Sequence, residues 1–203
     1  MDSYRRSISY FWKLTHPNLV VSTVANVPSS LIYETINGEP IYYRGYKEVL
    51  VGKQQLAVAR GSTVQQSYLI GELFFLLKRH LDRNTHHVLG NEVGLQLAKH
   101  THCLADLAVV KGKLVTEEYL SYPPELVVRI DTKADVVDMY SYYVQIARQL
   151  LKFQVPYVIW IFTATRTWMY TEKGRPWTLH KWTDEVPLWE GLSVRLDELV
   201  ETF

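Results

Sequence analysis

Carboxylates within apolar runs are the residues of this 203-residue chain with the clearest potential for chemistry. Asp106 interrupts the apolar run CLADLAVV. An ionised group in a buried strand is costly unless it is paired, metal-bound or reached by solvent. If a hairpin turn centres near residue 99, Glu92 faces Asp106 across two strands, and the two carboxylates repel unless a cation lies between them. The pair is therefore a candidate cation site, with a solvent-exposed strand end as the alternative for Asp106.

The stretch PPELVVRIDTKAD, residues 123–135, contains a second candidate. Side chains alternate faces along a strand, so Arg129, Asp131 and, if the strand continues, Lys133 share one face. A carboxylate can hold a divalent cation, and a nearby lysine can position a water molecule or stabilise charge on phosphate. This is the chemistry of phosphodiester hydrolysis. A lone D-x-K pair is common by chance, and its value here lies in following Asp106 by about one hairpin's length.

The first elements that must position these residues are a hairpin and a helix. SLIYETI and PIYYRGY flank Asn37-Gly38-Glu39, and an Asn-Gly pair between β-rich runs predicts a β-hairpin. We expect residues 49–51 to extend this small sheet. Residues 62–82 predict an amphipathic helix, with Ser62 as N-cap and Gln65 completing a weak capping box. In the N-terminal extension, residues 10–14 could form a short helix.

The rest of the chain alternates between strands and helices. Three predicted strands come from HHVLGNEVGLQL, CLADLAVV and LVVRI, followed by a helix over VVDMYSYYVQIARQLLKF that Pro156 ends. YVIWIF, TWMYT and WTLHKW predict three more strands, and residues 192–200 a closing helix. We therefore predict an α/β fold with a mixed β-sheet flanked by helices. One domain over residues 1–203 is expected, with an extension at 1–28, a core at 30–170 and a C-terminal strand and helix at 171–203.

The amino-acid composition limits the classes of protein to which this chain can belong. The chain has 22 basic and 21 acidic residues and a net charge of +1, without the basic excess of a dedicated DNA binder. A nuclease with an acidic pocket and basic flanks could still sum to nearly zero. The single cysteine, Cys103, excludes an internal disulfide, and no apolar run is long enough to span a bilayer. We expect a cytoplasmic protein that does not bind membranes.

Two further clusters have mainly structural interpretations. His100, His102 and Cys103 do not match the spacing of a structural zinc site and are better explained as turn and core residues. Four tryptophans near the C-terminal end predict an aromatic surface that could serve a homodimer. They are Trp168, Trp177, Trp182 and Trp189.

The order GEPIYYRGYKEVL, NEVGLQL, ADLAVV, ELVVRIDTKAD and VPYVIWIF resembles a large bacterial family described as "putative restriction endonucleases". That family was first catalogued as a domain of unknown function and belongs to the PD-(D/E)xK nuclease superfamily. The resemblance covers roughly residues 30–170. It implies the restriction-endonuclease-like fold with an N-terminal β-hairpin, and an endodeoxyribonuclease dependent on Mg²⁺ or Mn²⁺ with DNA as its partner.

The family pattern also implies residue roles. Asp106 matches the Asp of the "PD" element, with Ala105 in place of proline, and Glu92 matches an acidic residue on the preceding strand. Glu34 and the Asn37-Gly38-Glu39 turn match the opening hairpin. Asp106 and Asp131 would be metal ligands, Glu92 an outer ligand, and Lys133 the residue that positions water.

Three departures from the family pattern weaken this assignment. Arg129 stands where similar sequences carry Glu, Ile146 where they carry Lys, and Gln154 where they carry Gly. Asp106, Asp131 and Lys133 could still make a literal site, with Arg129 gripping phosphate at its rim. Alternatively, the chain is a non-catalytic nuclease-like module that binds DNA or a protein, and Arg129 fills the pocket in an ion pair with Asp106. A dimeric structural protein without nucleic acid is the third possibility.

Overall fold

The predicted hairpin opens the part of the chain that this computed structural model describes, which comprises residues 27–114, 118–131, 139–172 and 174–200. A 3-10 turn at Ser29–Leu31 precedes it, and Asn37 and Gly38 form its turn with φ of 53° and 87°. Internal contacts divide the chain into two units, Met1–Ser30 and Leu31–Phe203. The strands and helices below belong to the second unit.

Ten strands and five α-helices follow in the described residues. The strands are β1 (Ile32–Ile36), β2 (Glu39–Tyr42), β3 (His86–Ala98), β4 (Thr101–Lys111), β5 (Leu126–Asp131), β6 (Tyr157–Phe162), β7 (Thr167–Glu172), β8 (Thr178–Lys181), β9 (Glu185–Trp189) and β10 (Leu192–Arg195). The helices are α1 (Tyr46–Leu50), α2 (Leu56–Arg60), α3 (Val64–His80), α4 (Met139–Lys152) and α5 (Leu196–Val200).

Eight of these strands form one mixed sheet in the order β2-β1-β4-β5-β6-β7-β8, with β3 also paired to β4. Strands β5 and β6 are parallel, since α4 carries the chain from one to the other, and the remaining pairs are antiparallel. Strands β9 and β10 form a separate two-stranded sheet. The predicted α/β class with a mixed sheet flanked by helices is confirmed.

Helices cover both faces of the main sheet. On one face, the buried Leu69, Leu73 and Leu77 of α3 belong to the same apolar cluster as alternate residues of β4, β5 and β6. On the other face, Ile146 and Leu150 of α4 cluster with Val127 of β5 and with Val158 and Trp160 of β6, which alternate with the residues of the first face. This two-sided burial explains why the central strands read as nearly continuous apolar runs.

Several local predictions were wrong in detail. Val49 and Leu50 lie in α1 and do not extend the hairpin sheet. The N-cap of α3 is Thr63, one residue after Ser62, and its capping box is completed by Gln66. A hydroxyl residue at the N-cap and a glutamine three residues later were correctly predicted. Their position was not, because it depends on which backbone N–H groups the side chains reach.

The ends of two predicted helices also differ. Helix α4 ends at Lys152, before Pro156, because Gln154 adopts a left-handed conformation with φ 76°. Val155 N donates to Leu150 O and Gln154 N to Leu151 O, which is the Schellman pattern. Near the C-terminus, residues 192–195 form β10, and only Leu196–Val200 is helical. The helix predicted at residues 10–14 lies outside the described residues.

Candidate functional site

The candidate site lies where β1 and β5 share one edge of β4. Strand β3 pairs with β4 over most of its length. The other edge of β4 pairs with β1 at His102 and with β5 from Leu107 onward. Between these pairings, side-chain carboxylates accept main-chain hydrogen bonds: Leu104 N donates to Glu34 Oε1 at 2.9 Å, and Ile130 N donates to Asp106 Oδ2 at 2.6 Å.

A buried ion pair links β1 and β5 across the gap between their pairings with β4. Arg129 Nη1 of β5 lies 2.5 Å from Glu34 Oε1 of β1. Their side chains are 1% and 0% exposed. The structure thus answers where the arginine of LVVRI finds its counter-charge, since a buried guanidinium without a partner would be strongly destabilising.

Three aromatic side chains complete the surroundings of Arg129. Its Nη2 donates to the hydroxyls of Tyr33 at 2.7 Å and Tyr142 at 3.1 Å. The Tyr142 hydroxyl in turn donates to Glu34 Oε2 at 2.5 Å. The guanidinium carbon also lies 4.5 Å from the ring centroid of Trp160, within range of a cation–π interaction.

The pKa values in this cluster follow from burial and charge. Burial alone would lower the pKa of Arg129, but the Glu34 carboxylate and the neighbouring tyrosines raise it well above its usual value. Burial raises the pKa of both Tyr33 and Tyr142, an effect that the Arg129 charge partly offsets. Arg129 is therefore a permanent cation, and the two tyrosines are neutral hydrogen-bonding groups at physiological pH.

Asp106 and Asp131 lie beside this cluster, and each accepts a hydrogen bond from the protein. Asp131 ends β5, and its Oδ2 accepts from Trp160 Nε1 at 2.5 Å. Burial raises the pKa of Asp106 to about 6, Arg129 and the Ile130 N–H lower it, and the charges of Asp131 and Glu92 raise it. The structure therefore brings Asp106 within electrostatic reach of both other carboxylates.

Glu92 occupies a bulge in β3. The register passes from Gly90 opposite Leu107 to Val93 opposite Ala105, so Asn91 and Glu92 lie together opposite Asp106. Asn91 and Glu92 have φ of 70° and 57°. Bulges of this kind redirect side chains and are frequent near functional sites. The Glu92 side chain is exposed.

The described residues do not fit a divalent metal ion. Among them, no group of three or more His, Cys, Asp or Glu side chains is arranged to hold one. The permanent charge of Arg129 also lies within electrostatic reach of Asp106 and opposes a second cation there. Lys133 lies outside the described residues, and Ile146 is fully buried in the apolar core.

The partners of Arg129 differ from those expected from the sequence. If Arg129 filled the pocket, the expected counter-ion was Asp106, but the ion pair is with Glu34, and Asp106 accepts from the main chain. The arginine within the apolar run LVVRI was a usable signal of a buried ion pair, because a buried guanidinium requires a carboxylate partner. Which carboxylate it meets depends on the pairing of β1 with β4, and no local pattern in the sequence reveals that pairing.

The structure also places the two other clusters. Cys103 is fully buried, and burial raises the pKa of its thiol, as expected for a core residue. Trp168 and Trp182 are each 1% exposed, so two of the four tryptophans predicted to form a surface lie in the core. A homodimer therefore stays a prediction without that support. Among the described residues, no helix has both the length and the apolar character needed to cross a membrane.

The fold of this chain is similar to that of a known protein, although its sequence is not. Neither the known family models nor the curated proteins include a match to this chain. Its structure is similar to that of a protein described as a "putative nuclease belonging to DUF820 from Anabaena variabilis ATCC 29413", with a TM-score of 0.58 and 11% sequence identity. The match covers 82% of this chain and 88% of the other. The resemblance to this nuclease-like group is thus confirmed at the level of the fold.

Proposed function

We propose that this chain is a nuclease-fold module that binds DNA and does not cleave it by the metal-dependent route. The buried ion pair between Arg129 and Glu34 carries the proposal. Neighbouring carboxylates in a nuclease pocket require a compensating cation. Here, a guanidinium supplied by the chain itself provides that positive charge.

The energetics favour the internal cation over an external one. A divalent ion at Glu34 must displace the guanidinium, and breaking a buried ion pair costs roughly 3–5 kcal/mol. A divalent ion at Asp106 or Asp131 would instead be repelled by the fixed positive charge of Arg129 nearby. Each 1.4 kcal/mol reduces affinity about tenfold, so either position would bind Mg²⁺ or Mn²⁺ weakly.

Two observations support DNA as the partner. The chain shares its fold with a protein described as a "putative nuclease". The four exposed cations among residues 44–60, described below, also provide a surface suited to phosphate. Arg129 is not placed to contact phosphate directly, because its side chain is 1% exposed and hydrogen-bonded within the protein. Binding therefore depends on surface cations and is sensitive to salt.

A Mg²⁺- or Mn²⁺-dependent endodeoxyribonuclease is the second candidate function. The observation in its favour is that Asp131 and Glu92 lie close enough to Asp106 for their charges to add to the effect of burial, which is the main cause of its raised pKa. Mutual repulsion of this kind is relieved when a cation binds between carboxylates. In that case Asp106 and Asp131 would hold the metal, Glu92 would be an outer ligand and Lys133 would position water, as the family resemblance implies.

Nicking of supercoiled plasmid in Mg²⁺ or Mn²⁺ tests the proposal, alongside DNA binding measured by fluorescence anisotropy in EDTA. We expect the wild type to bind DNA in EDTA and to leave the plasmid intact. Cleavage by wild type that is abolished in Asp106→Ala would establish the second candidate. Absence of DNA binding would overturn the proposed function itself.

The Arg129→Glu variant tests whether the site is a nuclease pocket that Arg129 has inactivated or a site with no nuclease activity to restore. It restores the carboxylate of the family pattern, so metal-dependent cleavage appearing only in this variant would show that Arg129 blocks a nuclease pocket. Circular dichroism must confirm that the variant folds, because the substitution places a second carboxylate in contact with that of Glu34.

A further inference from the structure

The segment between β2 and α3 is attached to the fold without contributing to its core. This segment, residues 44–60, contains α1 and α2 and is called the arm below. Neither of its two five-residue helices has a buried side chain. The side chains of the arm are therefore not held by burial, although Lys47 and Arg60 contact the rings of Tyr46 and Tyr43, and the arm presents an exposed surface to a partner.

The arm carries a local excess of positive charge. Arg44, Lys47, Lys53 and Arg60 are exposed, and the one carboxylate in the arm is Glu48. The arm therefore has a net charge of +3, whereas the whole chain has a net charge of only +1. A concentrated basic surface on a nearly neutral protein is the electrostatic pattern of a phosphate-binding face.

A ladder of aromatic and cationic side chains connects the arm to the candidate site. Arg129 lies 5.5 Å from the ring centroid of Tyr33, the Tyr33 and Tyr43 centroids are 5.1 Å apart, and Arg60 lies 5.3 Å from the Tyr43 centroid. Two adjacent rings thus link the buried Arg129 to the exposed Arg60. Arg60, the last residue of the arm, therefore lies near the candidate site.

The N-terminus of α3 follows the arm and adds to the same positive region. Its first turn contains no acidic residue, so the partial positive charge of this 17-residue helix is not offset there. Gln66, in that turn, donates to Ile130 O at 2.8 Å and holds the helix end against β5. This contact fixes the position of the region relative to Arg129 and Asp131.

Aliphatic side chains are exposed among the arm's charges. Val51 and Val58 are 67% and 63% exposed, and Leu50 is 44% exposed. Such side chains can contact deoxyribose or enter a minor groove, where several DNA-binding proteins insert apolar residues. Charge and apolar contact together suit a DNA duplex better than they suit a small anion.

We propose that the arm is the surface through which this protein binds the phosphate backbone of double-stranded DNA. This inference rests on the proposed function and names the binding surface for it. Arg44, Lys47 and Lys53 contact phosphates, and Val51 and Val58 contact the sugar edges between them. Because Arg60 connects to Arg129 through Tyr43 and Tyr33, duplex bound on the arm lies close to the candidate site.

A charge-reversal variant of the arm tests the inference. The substitutions are Arg44→Glu, Lys47→Glu and Lys53→Glu, and Arg60 is kept because it packs on Tyr43. The dissociation constant for a fluorescent duplex is measured between about 50 and 200 mM salt. The slope of log K against log salt is negative, and each lost phosphate contact reduces its magnitude by about 0.9. We therefore expect the magnitude of the slope to fall by roughly 3 and the affinity to fall at least tenfold.

A matched control changes the same amount of charge elsewhere. Arg83→Glu, Lys111→Glu and Lys113→Glu alter three exposed cations beyond the C-terminal end of α3. Helix α3 is about 25 Å long, which separates them from the arm. We expect the control variant to retain the wild-type slope. Equal losses in both variants, with wild-type binding intact, would overturn the arm as the binding surface while leaving the proposed function standing.

The aliphatic contribution has a separate signature. Val51→Ser combined with Val58→Ser should weaken duplex binding several-fold without changing the salt slope, because no charge is removed. Tighter binding of wild type to single-stranded than to double-stranded DNA would overturn the assignment to a duplex. If the charge-reversed arm retains full DNA affinity, the arm serves a different partner and the inference fails.

Discussion

Arg129 and Glu34 are 95 residues apart in the chain and form a fully buried ion pair of 2.5 Å between β5 and β1. Both of these strands use the same edge of β4, and the pair joins them where neither supplies a main-chain partner. The polar centre of this fold is therefore a structural cross-link within the sheet. Its charges are satisfied internally, which sets the expected behaviour of the variants below.

Glu34→Gln should destabilise the protein by roughly 3–5 kcal/mol, because it leaves the Arg129 charge buried without a counter-ion. Urea denaturation followed by tryptophan fluorescence measures this change. The double variant Glu34→Gln with Arg129→Met removes both charges, and it should be less destabilised than the sum of the two single variants. Additive effects would contradict a direct interaction between the two side chains.

Tyr142→Phe should cost about 1.5–3 kcal/mol, since its hydroxyl donates to the Glu34 carboxylate and accepts from Arg129. Thermal and urea denaturation measure the effect. Tyr42→Phe is a suitable control, because the Tyr42 ring stacks on Tyr46 in the hairpin region. The control should change stability by less than about 0.5 kcal/mol, as is usual for surface substitutions. Equal costs for the two variants would argue against a special role of the Tyr142 hydroxyl.

Asp106→Asn should make the protein more stable at neutral pH. The folded-state pKa of Asp106, about 6, lies above the ordinary 3.8, so the folded state binds this proton more tightly than the unfolded chain. The stabilisation from protonation is complete below the ordinary pKa and is lost as pH rises through 6. Asparagine keeps an acceptor for Ile130 N without the charge, and the gain at pH 7.5 should be about 1–3 kcal/mol.

Urea denaturation of wild type and Asp106→Asn across pH 4 to 7.5 measures this dependence. The difference in free energy of unfolding should be largest above pH 6 and should shrink as pH falls from 6 toward 4. A variant less stable than wild type at pH 7.5 would mean that the ionised carboxylate is stabilising in the folded state.

Gln154→Gly should stabilise the protein by about 1 kcal/mol. Gln154 has φ 76° at the end of α4, and a left-handed conformation costs a residue with a side chain roughly 1–2 kcal/mol relative to glycine. The melting temperature should rise accordingly. Gln154→Ala is the control: alanine has the same Cβ and should give no such gain. Equal melting temperatures for the glycine and alanine variants would show that backbone strain does not limit stability at this position.

Local patterns were sufficient for much of the fold. The Asn37-Gly38 turn, the amphipathic residues of α3 and the apolar central strands predicted the order of hairpin, helix, three strands, helix and three strands. These features depend on near neighbours in the chain, such as turn conformation and side-chain periodicity. Their errors were also local: the N-cap of α3 was off by one residue, and helix was predicted for residues 192–195, which form β10.

The sequence by itself placed Asp106 in one predicted strand and Arg129 and Asp131 on a shared face of the next, and it left open whether Arg129 binds phosphate or fills the pocket in an ion pair. Only the tertiary structure decided that the counter-charge is Glu34 and that Tyr33, Tyr142 and Trp160 surround it. The physical reason is that strand alternation assigns a side chain to a face, whereas its partner depends on which distant strands meet. Here β1 and β5 meet at the edge of β4, and this meeting places an internal cation beside the carboxylates of a nuclease fold.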